Sequence, residues 1–192
     1  MDTYHVVLYV HLLALLLGMM AGGVLVVCLL QLRAATTLES AVPWAMVAGK
    51  TEKAFPIAVL ALFGTGAYMT SDVWTWSTGW IDVSIVGLAI LALQGPLVGG
   101  RTAKKLEHAL MANGPGELGA ETRKMTRHPG LWVTEFTNLA LVCGIVWNMT
   151  EKPGTGSAIL SLVVAYLVGT AIATRFTKAS GAELAPAAEP VG

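Results

Sequence analysis

A single histidine, His11, lies well inside a long apolar stretch of the sequence, where an imidazole can act as an axial metal ligand. Ala14, Gly18 and Gly22 follow it at three, seven and eleven residues, so a helix places all four on one stripe. Two interpretations are open. Either haem b lies against the glycines with His11 as its ligand, or another helix packs there and His11 is its hydrogen-bonding partner.

A haem at this position also raises the question of a second axial ligand. Met69, at the outer end of the second apolar stretch, is the candidate, since a thioether is a known partner of histidine on haem iron. The alternative is a five-coordinate iron held by His11 alone.

A second chemical signal is Glu135, about two turns inside the fourth apolar stretch. A carboxylate inside a bilayer is costly and marks a functional hypothesis. Asn138 is beside it and Gln94 lies at a similar depth, so the three are expected to form a polar cluster within the membrane. Such a cluster suits a proton relay or the polar group of a substrate or quinone. The alternative is an acid near the interface, paired with Lys53 or Arg101.

The composition indicates a membrane protein. Of 192 residues 55% are hydrophobic and 12% charged, about half the ~25% of a soluble domain. The 12 basic and 12 acidic residues balance, which excludes a nucleic-acid-binding protein. We predict one all-α domain over residues 1–178, a polytopic bundle of five transmembrane helices over residues 6–32, 54–73, 80–99, 130–148 and 157–174.

The basic residues predict the orientation of this bundle. All of the 12 Lys and Arg residues except Lys152 fall on one side of the five spans. The positive-inside rule therefore puts the N-terminus outside and the C-terminus in the cytoplasm. Residues 101–128 are expected to form a cytosolic loop of two short helices around a turn, residues 36–53 to lie partly at the interface, and residues 179–192 to form a disordered tail. Four tryptophans lie at the predicted outer boundary: Trp74, Trp76, Trp80 and Trp147.

Four short motifs over about residues 5–155 carry a family resemblance: Val10-His11-Leu12-Leu13 followed by Gly22-Gly23, Gly64-Thr65-Gly66-Ala67-Tyr68, Gly79-Trp80-Ile81, and Asn148-Met149-Thr150-Glu151-Lys152-Pro153. The chain resembles small helical integral membrane proteins related to the copper-resistance D domain, a group that includes the haem-dependent protoporphyrinogen oxidase. The resemblance implies haem held by His11 and by a lysine early in the third span. Ser84 stands at that lysine's position, and a fifth span lies beyond the usual four-helix unit. The resemblance therefore favours the uncharacterised branch of the group over the oxidase.

Three functions are left open by the sequence: a haem b-binding redox or electron-transfer component, a non-catalytic accessory subunit of a larger membrane complex, or a small transporter. Whether the protein is an enzyme is not decided by any motif. The expected partners are the lipid bilayer and either further copies of the chain or other membrane subunits. The expected location is a bacterial-type plasma membrane.

Reporter fusions test the predicted orientation. Green fluorescent protein fused to the C-terminus is expected to fluoresce, and alkaline phosphatase fused there to be inactive, because the positive-inside rule puts this end in the cytoplasm. Phosphatase inserted between Trp76 and Thr78 is the matched control and is expected to be active. The opposite pair of results would place the C-terminus outside.

Overall fold

The computed structural model describes residues 2–184, with side chains to residue 177. In this part of the chain a π-helical segment, Gly95–Gly100, and eight α-helices follow one another: α1 (Thr3–Ala34), α2 (Leu38–Thr51), α3 (Ala54–Val73), α4 (Gly79–Gln94), α5 (Arg101–Ala112), α6 (Ala120–Thr126), α7 (Pro129–Glu151) and α8 (Thr155–Leu184). Five helical stretches are long and apolar enough to cross a membrane: Thr3–Ala34, Leu38–Val73, Gly79–Ala112, Ala120–Glu151 and Thr155–Thr177. The all-α class and the five apolar spans are thereby confirmed.

Burial in this bundle is the reverse of that in a water-soluble protein. Leu60 is 72% exposed and Leu160 is 61% exposed, whereas Asn148 is 0% and Glu135 is 7% exposed. Apolar side chains cover the outside because hydrocarbon solvates them as well as a protein interior does, while polar side chains must find partners inside. This distribution is that of a multi-pass membrane protein.

The helices α7 and α8 form a closely packed hairpin. A Cβ atom on Gly169 would lie 2.6 Å from the carbonyl oxygen of Phe136, so only glycine allows α8 to approach the α7 backbone here. Asn148 completes the pairing, since its amide donates to the carbonyl of Ala158 (3.3 Å) and its oxygen accepts from the Ser161 hydroxyl (2.7 Å). This hairpin provides the surface on which α1 and α4 pack.

Arg33, Thr36, Leu118 and Phe176 mark one end of the bundle, which we call the basic end. The Arg33 guanidinium donates to the carbonyl of Phe176 (3.1 Å), and the Leu118 N–H donates to the carbonyl of Thr36 (2.8 Å). Trp132 is fully buried there and stacks on Phe176, with 4.7 Å between ring centroids. The segments that carry most of the basic residues therefore meet at one end, as the five-span arrangement requires.

Trp74, Trp80 and Lys152 lie together at the opposite end, which we call the tryptophan end. The two indoles make an edge contact with centroids 5.4 Å apart, and Lys152 Nζ lies 4.9 Å from the Trp74 ring. The only basic residue predicted on the outer side is thus held on the predicted aromatic belt by a cation–π contact.

Two segments differ from their predicted structure. Residues 38–51, expected to lie partly at the interface, form α2, which begins with a capping box between Thr37 and Ser40. The third span was expected to end near Gly99, but the helix continues through Gly95–Gly100 into α5. Pro96 lacks an N–H, and the backbone accommodates it by widening into a π-helix rather than by stopping.

The predicted cytosolic loop and tail have mixed outcomes. Helices α5 and α6 and the turn between them are confirmed as elements. Helix α8 continues to Leu184, six residues into the segment that was predicted to form a disordered tail. Residues 185–192 lie outside the described residues.

Substituting Gly169 by alanine is expected to lower the free energy of unfolding by about 1–3 kcal/mol, because the new methyl group overlaps the α7 backbone. Gly64→Ala is the matched control, since nothing lies within 4 Å of a Cβ at Gly64. The control is expected to leave stability unchanged or to raise it by up to about 1 kcal/mol through helix propensity. Thermal unfolding in detergent measures both, and equal stability of the two variants would contradict the prediction.

Candidate functional site

His11 lies inside the bundle, 5% exposed, between α1 and α3. Its Nδ1 atom is 2.8 Å from the hydroxyl oxygen of Thr65, whose own proton is donated to the carbonyl of Ala61 at 2.5 Å. Because the hydroxyl has one proton, Nδ1–H of His11 must be the donor to it. The neutral imidazole therefore keeps its lone pair on Nε2. This hydrogen bond joins the first predicted span to the second.

The stripe that follows His11 is a surface for helix packing. A Cβ on Gly18 would lie 3.6 Å from Ala58 Cβ, and one on Gly66 of α3 would lie 3.6 Å from the His11 ring. Farther along α1, a Cβ on Gly22 would lie 2.6 Å from Leu139 of α7. Gly18 thus faces α3 and Gly22 faces α7, which favours the packing interpretation of the stripe.

Neighbouring helices pack on the face that was expected to hold haem, since α3 lies against Gly18 and α7 against Gly22. Met69, four residues after Thr65 on α3, is partly exposed. Ser84, at the position of the family lysine, donates to the Trp80 carbonyl of its own helix at 2.7 Å. Within residues 2–177, no group of three or more His, Cys, Asp or Glu side chains is placed to hold a metal ion. Haem ligation by His11 and Met69 stays a prediction that an absorption spectrum tests.

Glu135 lies on the face of α7 that meets α1. Its Oε1 would be 3.2 Å from a Cβ on Gly22, so the missing side chain of Gly22 leaves room for the carboxyl group. A second carboxyl group, that of half-buried Glu52 at the α2–α3 junction, acts electrostatically on Glu135. Among the described residues an ion pair joins His5 to Asp2. Neither Lys53 nor Arg101 forms an ion pair with Glu135 in this part of the chain.

Two further polar groups beside Glu135 are buried without partners in the described structure: the hydroxyl oxygen of Thr134 and the amide oxygen Oδ1 of Asn138. On a helix these residues lie within about 100° of Glu135. The π-helical segment lies close to Thr134, since a Cβ on Gly99 would lie 3.1 Å from the Thr134 methyl group. Glu135, Thr134 and Asn138 form what we call the acid site.

Gln94 joins α7 at a different residue from the one predicted. Its amide donates to the Thr137 hydroxyl, which in turn donates to the carbonyl of Val133 at 2.6 Å. Thr137 lies about 200° around α7 from Glu135. The structure therefore brings Gln94 to α7 at the depth of Glu135 but on another face of that helix. Asn138 lies between the two faces around α7.

Three of these polar residues were missed by the sequence analysis: Thr65, Thr137 and Glu52. Threonine in an apolar helix gives no signal of a tertiary partner because its hydroxyl can bond its own backbone. The one available signal was the pair of glycines around Thr65, which indicates a close approach of another helix.

No protein-family model, curated protein or solved structure matches this chain. The resemblance to the copper-resistance D group therefore stays a prediction, and the function proposed below rests on the geometry of the sites.

A double-mutant cycle tests the role of His11. His11→Ala is expected to lower the free energy of unfolding by about 1 kcal/mol through loss of the bond to Thr65. In the cycle with Thr65→Val, the coupling free energy between the two substitutions is expected to be about 1 kcal/mol. Thermal unfolding in detergent gives these values. A Soret band that His11→Ala removes would instead establish His11 as an iron ligand.

Proposed function

We propose that this chain is an integral membrane protein that binds and releases a proton at Glu135, as the coupling site of a small transporter. The observation that carries the proposal is a buried carboxyl group that lacks a basic partner among the described residues and faces the interior of the bundle. Ionisable residues placed in this way mark proton or substrate pathways in membrane proteins.

The neighbours of Glu135 suit a group that changes protonation state. When protonated, its O–H needs an acceptor, and the buried oxygen of Asn138 lacks a partner in the described structure. When ionised, it needs a donor, and the Thr134 hydroxyl is similarly unpartnered. Glu52 is a second carboxyl group that acts electrostatically on Glu135. Within residues 134–138 of α7 an unpartnered acceptor and an unpartnered donor thus accompany Glu135.

The orientation with the N-terminus outside and the C-terminus in the cytoplasm belongs to the same proposal, as does location in a bacterial-type plasma membrane. In this orientation the basic end is cytoplasmic. Glu135 then lies six residues into α7, about 9 Å along the helix from its cytoplasmic start. A proton reaches it over a shorter distance from the cytoplasm than from outside.

Infrared difference spectra between acidic and alkaline pH test proton binding at Glu135. The C=O stretch of a buried carboxylic acid lies at higher frequency than that of a water-exposed one. We expect such a band in the wild type and its loss in Glu135→Gln, because the amide cannot be protonated in this way. Glu107→Gln, which alters an exposed carboxyl on α5, is the matched control and is expected to keep the band.

Transport itself is followed in proteoliposomes that contain a pH-sensitive dye. Under an imposed membrane potential, proton uptake is expected in the wild type and in Glu107→Gln and to fall to the level of empty liposomes in Glu135→Gln. A Glu135→Gln variant with the wild-type infrared band and wild-type uptake would contradict the proposal.

A further inference from the structure

The start of α7 is a junction of three helices at the basic end. His128 caps α7, and its Nδ1 atom accepts a hydrogen bond from the Gly130 N–H at 3.1 Å. Helix α5 lies directly against this turn, since a Cβ on Gly130 would be 3.1 Å from Thr102 Oγ1. Helix α6 ends at Thr126, two residues before His128. Side chains from α5, α6 and the cap therefore converge here.

Two exposed lysines lie on the helices that meet at this junction. Lys105 follows Thr102 by one turn of α5, and Lys124 precedes His128 by one turn, and both act electrostatically on the His128 ring. Both lysines are exposed. Three acids lie on the same segments: Glu107, Glu117 and Glu121. Among the described residues none of them forms an ion pair with either lysine, so the two ammonium charges are uncompensated.

The backbone amides of the first turn are not available to a ligand. The Gly130 N–H is taken by His128 Nδ1, and the Leu131 N–H donates to the His128 carbonyl at 3.1 Å. Because Nδ1 accepts from an N–H, the neutral ring carries its proton on Nε2, which makes Nε2–H a third donor. The junction thus offers two ammonium groups and one ring N–H, and these donors suit an anion with several acceptor oxygens.

We propose that Lys105, Lys124 and His128 form a binding site for a phosphate-bearing anion. The predicted fourth span begins at residue 130, so the cap of α7 is expected where the chain leaves the hydrocarbon, at the depth of lipid phosphates. An anionic phospholipid headgroup presents its phosphate to basic groups at this level. The site is independent of proton binding at Glu135, which lies seven residues from His128.

Native mass spectrometry of the full chain in detergent, titrated with phosphatidylglycerol, tests this site. The wild type is expected to bind the lipid about thirtyfold more tightly than Lys105→Gln/Lys124→Gln, from the contribution of two lysines near a membrane surface. Lys104→Gln is the matched control, because Lys104 is equally exposed on α5 but does not act on His128, and it is expected to bind as the wild type does.

A second variant separates the role of His128 as a ligand from its role as a cap. His128→Asn keeps an acceptor for the Gly130 N–H and removes the Nε2 donor. We expect unchanged thermal unfolding and weaker lipid binding. Circular dichroism shows whether each variant is folded.

Two further titrations identify the source of the anion. Phosphatidylcholine, whose charge is balanced, is expected to bind equally weakly to all variants. If inorganic phosphate at the same concentration as the lipid displaces phosphatidylglycerol, the site is supported and its ligand is a free anion. If inorganic phosphate does not displace the lipid, the ligand is the lipid headgroup. Wild-type affinity for phosphatidylglycerol in the double-lysine variant, or an equal loss in Lys104→Gln, would overturn the proposal.

Discussion

Hydrocarbon has no hydrogen-bonding groups, and the polar side chains of this bundle are arranged by that constraint. Many hydroxyl groups solve it locally by donating to a carbonyl three or four residues earlier in the same helix. Thr70 donates to Gly66 at 2.9 Å and Ser84 to Trp80 at 2.7 Å. Polar side chains that cannot bond a carbonyl of their own helix in this way must find partners on other helices. The acid site is one place in the described structure where neither solution is in use, and there the unpartnered groups flank a carboxyl group.

Glycine decides where the helices approach α7 closely enough to bury its polar face. A Cβ on Gly87 of α4 would lie 3.1 Å from Ile145, and one on Gly144 of α7 would lie 3.0 Å from Ala165 of α8. The same close approach at Gly22 encloses Glu135 between α1 and α7. Packing and the candidate chemistry therefore depend on the same small residues, since a larger residue at Gly22 would take the space of the carboxyl group.

The sequence predicted the number of the spans, because length and apolarity alone decide whether a helix can cross a bilayer. It was weaker on the direction in which each side chain points. Helices surrounded by lipid are apolar on all sides, so periodicity does not identify their inner face. The burial of His11 followed from its stripe of small residues, whereas the bond of Gln94 to Thr137 depends on the rotation of α4 against α7. For residues 36–53 the sequence predicted a position partly at the interface but no helix, because Pro43 interrupts the pattern and the ends of the segment are charged.

The bonds of Asn148 to Ala158 and Ser161 bear on how the chain is made. Without α8 this amide would lack both of its partners, and a buried amide without a hydrogen bond costs free energy. Its partners follow within thirteen residues, across a turn of three residues between α7 and α8. During synthesis the two helices can thus leave the translocation machinery as a pair with this amide already bonded. Truncation after α7 would remove both of these partners of Asn148.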